Sequence, residues 1–217
     1  MSQLTLIIGN KNYSSWSLRP WLAMRQVGLE FQEIRIPLDT PKTASQLRQY
    51  SPAGKVPVLH DGSLIIWDSL AILEHLVERF SELHWLPVDP AARATARSIS
   101  AEMHASFVNL RQNMPMNCRA SLPGKGMAPG VQADIDRITT IWRDCRQRFG
   151  RGGDFLFGAF TIADAMYAPV VSRFTTYGVT LDPICQAYAD AIWALPAMQD
   201  WLAAAQAETE VIASDEI

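Results

Sequence analysis

The chain has 217 residues, a mass of 24.2 kDa and a formal charge of −3, from 19 Lys and Arg against 22 Asp and Glu. The small acidic excess argues against a dedicated nucleic-acid binder, which needs a basic footprint, and 48% apolar against 19% charged residues argues against a disordered chain. The longest apolar runs, such as Leu64–Trp67, fall far short of the roughly 20 residues of a membrane span, and Met1–Leu4 carries neither the basic nor the apolar segment of a secretory signal.

Residues 4–8 form a short β-rich run ended by Gly9 and Asn10. Leu18, Trp21 and Leu22 then share one helical face, and Gly28 closes that segment. Pro20 is tolerated only near a first turn, so the helix is expected to start at Ser15 to Ser17. Residues 31–36 suit a strand, and residues 42–50 a short helix. Residues 56–60 and 64–66 read as a hairpin joined by Asp61-Gly62, because both residues tolerate positive φ. Leu70, Leu73, Leu76, Val77 and Phe80 mark a helix from Ser69. This order implies a mixed sheet with helices packed on it.

A Pro-containing linker follows, Trp85-Leu86-Pro87-Val88-Asp89-Pro90, and beyond it no strand is convincing. Residues 91–112 read as one helix. Val131, Ile135, Ile138, Trp142, Cys145 and Phe149 form a clean helical stripe ended by Gly150. Further helices are expected from Thr161, over residues 183–193, and from Pro196, while the polar tail after Ala207 should fray. The Gly- and Pro-rich stretch 123–130 is the main flexible candidate. Cys118, Cys145 and Cys185 are odd in number and widely spaced, which suggests reduced thiols in a cytoplasm, and no Cys/His cluster points to a metal.

Three short motifs carry chemistry. In Asn12-Tyr13-Ser14-Ser15-Trp16-Ser17, hydroxyls lie beside the free N–H groups and positive end of a helix, which favours an anion; Ser15 or Ser17 equally reads as a plain N-cap. In Ser51-Pro52-Ala53-Gly54-Lys55-Val56-Pro57-Val58, Pro57 opens a strand. It reads either as an ordinary edge-strand proline or as a cis bond turning the preceding backbone toward a ligand. Asp68-Ser69 opens a helix, as caps or as a pair that holds the ammonium and carboxylate of an amino acid.

In this order, on a βαβ–ββα pattern with an all-helical second half, the chain resembles the cytosolic glutathione transferases over essentially its full length. Zeta-like and related bacterial members are the nearest in pattern. Residues 13–19 resemble their Ser-Ser-Cys-Ser-x-Arg segment, residues 51–59 their Asn-Pro-x-Gly-Lys-Val-Pro-x-Leu, residues 68–72 their Glu/Gln-Ser-x-Ala-Ile, and residues 161–164 the Ser/Thr-x-x-Asp capping box. The resemblance implies an α/β thioredoxin-like N-terminal domain over residues 1–80, a linker over 81–90 and an all-α C-terminal bundle over 91–217 that lines an electrophile pocket. It implies glutathione as co-substrate, no metal, a homodimer without nucleic-acid or membrane partners, and conjugation, isomerisation or peroxide reduction of a small hydrophobic electrophile.

By the same resemblance Ser14, five positions before Arg19, hydrogen-bonds the glutathione sulfur, with Ser15 its competitor. Val56 before a cis Pro57 pairs with the cysteinyl backbone, Asp68 and Ser69 hold the γ-glutamyl end, and Lys55 and Lys42 approach the glycine carboxylate. The family's cysteine is Trp16 here, so cysteine-type reductase chemistry lacks its nucleophile and the pocket is reshaped. His104 and Arg111 share a helical face seven positions apart and are candidates for the electrophile pocket; they equally read as a solvated or core-satisfied pair. A non-catalytic binding or interaction module on the same fold is the alternative.

Overall fold

A computed structural model describes residues 3–217, so the reading of Met1 and Ser2 lies outside the described residues. The sheet contains β1 (Leu4–Ile8), β2 (Gln32–Arg35), β3 (Val58–Asp61) and β4 (Leu64–Trp67), in the spatial order β2-β1-β3-β4. β1 pairs parallel with β2 and antiparallel with β3, and β3 pairs antiparallel with β4. Alternation along β1 divides its side chains between two faces. Leu6 and Ile8 join the main core, while Ile7 packs with Ile36, Leu47 and Val58 on the other side. Asp61 pairs with Leu64, so the hairpin turn is Gly62-Ser63, one residue later than the sequence suggests.

The parallel pair is connected through α1 (Ser15–Gln26), and α2 (Thr43–Leu47) and α3 (Ser69–Arg79) complete the N-terminal half. Pro20 falls in the second turn of α1, deeper than the first-turn position expected for it, and leaves the Trp16 carbonyl without its usual i+4 donor. The second half contains α4 (Pro90–Ala105), α5 (Val108–Asn113), α6 (Val131–Phe149), α7 (Ile162–Tyr177), α8 (Pro183–Trp193) and α9 (Pro196–Ala207). α7 is buried on every side from Ile162 to Phe174 and packs against α1, α4 and α8. One hydrophobic core therefore runs without a break from Leu6 and Leu22 through Tyr167 and Phe174 to Trp142 and Trp201.

Further expectations change. The single helix expected over 91–112 is two helices, because Phe107 adopts φ +61° and turns its buried ring into the core. Asp134 Oδ2 then accepts the Leu110 N–H at 2.9 Å, satisfying a donor in the first turn of α5. The largely exposed stretch 123–130, expected to be flexible, is anchored at points: Gly124 donates to the Tyr177 carbonyl, and a Cβ on Gly126 would meet the Asn113 carbonyl at 2.5 Å. The tail after Ala207 does not fray. Its glutamates and carbonyls bond to Lys11, Asn12, Arg35 and Arg119.

Candidate active site

Ser14 is the N-cap of α1. Its Oγ accepts from the Ser17 N–H at 3.4 Å and donates to Ser17 Oγ at 2.7 Å, and Ser17 Oγ accepts the Gly9 N–H at 3.1 Å. Gly9 is needed here because a Cβ would lie 2.6 Å from Leu38 Cδ1 and 3.2 Å from Ser14 Cβ. Ser15 is equally buried, and its Oγ accepts from Arg173 Nη2 at 3.3 Å.

Next to this helix start lies a cleft of about 470 Å³. The N-terminal half contributes Lys55, Val56, Pro57, Asp68 and Ser69 to its walls; α1 contributes Trp16 and α4 contributes His104. Seven of the sequence-predicted residues thus converge. Ala53 and Trp67, which were not singled out, complete the lining. Ser14, Ser15 and Arg111 are not among the lining residues, although Ser14 and Ser15 directly precede Trp16 in the chain; Lys42 is an exposed residue at the start of α2 and is likewise not among them. A separate cleft of about 500 Å³ beside Leu29 and Phe80 contains none of the predicted residues.

Local geometry explains the convergence. Ser51 Oγ accepts the Lys55 N–H at 3.1 Å and donates to the Lys55 carbonyl at 2.8 Å, which closes a tight loop before the cis Val56–Pro57 bond. Asp68 has φ +77°, a conformation uncommon for a non-glycine residue. Its Oδ1 caps α3 through the N–H groups of Leu70 and Ala71, and its Oδ2 lies 3.2 Å from His104 Nε2. Ser69 Oγ accepts from Arg19 Nη1 at 3.3 Å.

Three guanidinium groups gather under the Trp16 side of the cleft. Arg19 lies 4.2 Å and Arg111 5.4 Å from the Trp16 ring centroid, a cation–π arrangement on one indole, and His104 meets the same ring edge-on. Arg173 bonds to the Met114 and Pro169 carbonyls, and Arg111 to the His104 carbonyl. Among the described residues none of the three has a carboxylate within ion-pair distance, and Arg19 Nε has no hydrogen-bond partner. Burial, followed by the charges of Arg173 and Arg111, pulls Arg19 down to about 9; burial, followed by Arg111, pulls Arg173 down to about 10. Both remain cationic at neutral pH, and such a site favours an anion. Arg173 is absent from the sequence reading. Its signal is a lone charge inside the apolar run Ala165–Phe174.

Burial pushes the thiols of Cys118, Cys145 and Cys185 up to about 11, 12 and 12, so each is protonated at neutral pH. Among the described residues no group of three His, Cys, Asp or Glu is placed to hold a metal ion, and no helix is long and apolar enough to cross a membrane.

Comparison with known proteins matches residues 13–79 to the glutathione S-transferase N-terminal domain and residues 128–204 to the glutathione S-transferase C-terminal domain. A probable maleylacetoacetate isomerase of Caenorhabditis elegans is 29% identical over 175 residues, 78% of each chain. A stringent starvation protein A homolog of Coxiella burnetii is 25% identical over 84% of this chain and 81% of its own. Among solved structures, a Burkholderia glutathione transferase homolog with bound glutathione superposes with TM-score 0.70 at 23% identity, over 95% of this chain and all of its own. A zeta-class bacterial maleyl pyruvate isomerase superposes with TM-score 0.71 at 21% identity over the same shares.

Proposed function

Because the chain belongs to the glutathione transferase superfamily, we propose that it is a glutathione-dependent enzyme in which Ser14 stabilises the thiolate of glutathione for attack on a small electrophile. The observation that carries this reading is the convergence of Lys55, Val56, Pro57, Asp68 and Ser69 on one cleft beside the N-terminus of α1. Asp68 takes the γ-glutamyl ammonium, Ser69 its carboxylate, Val56 the cysteinyl backbone and Lys55 the glycine carboxylate. The Ser14 proton, held by Ser17 Oγ in the free protein, turns to the sulfur when the tripeptide binds.

The magnitudes suffice. A free thiol has a pKa of about 8.5, and lowering it by about two units takes about 2.7 kcal/mol. A charge-assisted hydrogen bond supplies about 1.5–3 kcal/mol and a helix N-terminus about 0.3–1. The thiol proton leaves to solvent on ionisation; the thiolate sulfur then adds to one carbon of an activated C=C bond of the electrophile, the π electron pair shifts to the conjugated carbonyl as an enolate, and that enolate takes a proton from solvent.

The electrophile in this reading joins an apolar body to a carboxylate. Trp16 and Trp67 offer the apolar wall, and Arg19, Arg111 and Arg173, gathered around Trp16 and Ser15 with no carboxylate within ion-pair distance among the described residues, give that side of the cleft a positive charge. Isomerisation stands beside conjugation as a reaction class for this site, in keeping with the printed name of one relative, a probable maleylacetoacetate isomerase. Leu64 and Ile65, exposed on the edge strand β4, support a homodimer.

The test is calorimetric titration with reduced glutathione of the wild type and Ser69→Ala, followed by an electrophile screen with and without a carboxylate. Binding weakened by the variant is the expected result. No binding at millimolar glutathione would remove this reading and leave a non-catalytic module on the same fold.

A further inference from the structure

The residues after α9 fold back onto the loop that precedes Ser14. The side chain of Glu208 is only 6% exposed. Its Oε1 accepts the Lys11 N–H at 2.7 Å and its Oε2 the Asn12 N–H at 3.0 Å, so one carboxylate holds two consecutive backbone donors. Arg35 Nη1 adds a third contact to Oε1 at 3.3 Å. The adjoining tail reinforces the clamp: Arg119 donates to the carbonyls of Glu208 and Glu210 and to the Tyr13 hydroxyl, and the Tyr13 hydroxyl donates to Glu216. Residues 11, 12 and 13 are thus all tied to the C-terminal tail, 196 positions away in the case of Asn12 and Glu208.

Two parallel N–H groups on one carboxylate form a charge-assisted pair with defined direction. Together with the bonds that the Lys11 carbonyl accepts from Trp201 Nε1 and the Asn12 carbonyl from the Cys118 N–H, they hold the backbone of residues 11 and 12, and with it the placement of Ser14 at the start of α1. A glutamine of the same size cannot substitute, because one of its two terminal atoms is a donor and faces an N–H.

We propose that Glu208 is a positioning residue, which holds the loop 11–13 so that the Ser14 hydroxyl reaches the glutathione sulfur. The inference rests on the reading of Ser14 given above, and it assigns the C-terminal tail a part in thiol activation although it touches no substrate.

Glu208→Gln tests it, with Glu208→Ala as a second variant and Glu210→Gln, which loses a surface ion pair with Arg35, as the control. In Glu208→Gln the amides of Lys11 and Asn12 are expected to exchange about tenfold faster, the change that loss of a charge-assisted hydrogen bond implies. The ionisation midpoint of bound glutathione, followed by thiolate absorbance, is expected to rise by about one unit. The KM for glutathione, set by residues the tail does not touch, should move less than about twofold. Unchanged amide exchange overturns the clamp, and faster exchange with an unchanged midpoint overturns its role in activation. If Ser14→Ala itself keeps full turnover, the Ser14 reading fails, and amide exchange in Glu208→Gln still decides the clamp alone.

Discussion

His104 Nε2 stands 3.2 Å from Asp68 Oδ2, a contact that joins α4 of the helical half to the residue that opens α3. The other oxygen of Asp68 caps α3, so the two roles of this carboxylate separate by atom. Asp68→Asn keeps a competent cap and removes the charge that an ammonium needs. Glutathione affinity should fall by about 10- to 100-fold, the worth of a charged hydrogen bond, with the melting temperature nearly unchanged. Equal affinity in calorimetry would leave Asp68 as a cap alone.

Ser14→Ala removes both an N-cap and the proposed thiol partner. Stability should fall by about 1 kcal/mol and kcat/KM by about 10- to 100-fold, with little change in KM for glutathione. Ser14→Thr retains a hydroxyl and should restore the cap and part of the turnover. Chemical denaturation and steady-state kinetics separate the two effects.

Arg173→Gln should discriminate between electrophiles. Turnover of a carboxylate-bearing electrophile is expected to drop by at least about tenfold relative to a neutral one, since a charged hydrogen bond is lost for the first only. An equal drop for both would make Arg173 a scaffold for Ser15 and the Met114 carbonyl and nothing more.

Asp164 gives a pH signature. Burial pushes its carboxyl up to about 6, against hydrogen bonds from the N–H groups of Leu156 and Thr161 and the Thr161 hydroxyl. Between the unfolded value near 4 and about 6 the native state therefore binds more protons than the unfolded state. The contribution of Asp164 to stability therefore falls as pH rises through that window, by about 2–3 kcal/mol in the limit, and levels off above it. The difference in urea midpoint between the wild type and Asp164→Asn, which lacks an acceptor, should shrink from pH 4 to 7 by this contribution, whatever the other carboxylates add to both.

Much of this architecture is legible in the sequence because local rules and tertiary packing agree there. The stripe from Val131 to Phe149 becomes α6 over that span, and the Asp68-Ser69 pair opens α3 as its cap chemistry requires. Periodicity reaches as far as a mixed sheet followed by a helical half; the thioredoxin-like assignment comes from the family resemblance. Where the reading failed, long-range contacts decided. Nothing near Phe107 signals a break, because the break exists to bury that ring. The tail is polar throughout, and polarity is a sound reason to expect fraying until Arg119 and two backbone N–H groups, far away in the chain, turn out to be its partners. Arg173 is legible as an anomaly, one charge in an apolar helix, but not as a partner of Ser15.

α7 has no solvent side between Ile162 and Phe174. Its neighbours α1 and α4 come from opposite halves of the chain, so any side chain exchanged on α7 must suit a groove shaped by both. A saturation scan should therefore show no 3.6-residue rhythm of tolerance along α7, in contrast to α6 with its single buried stripe. An exchange of the C-terminal half for that of a relative at 20–30% identity would present α1 with a foreign surface along its whole inner face. The surface of α7 ties the sequence of one half of this chain to that of the other.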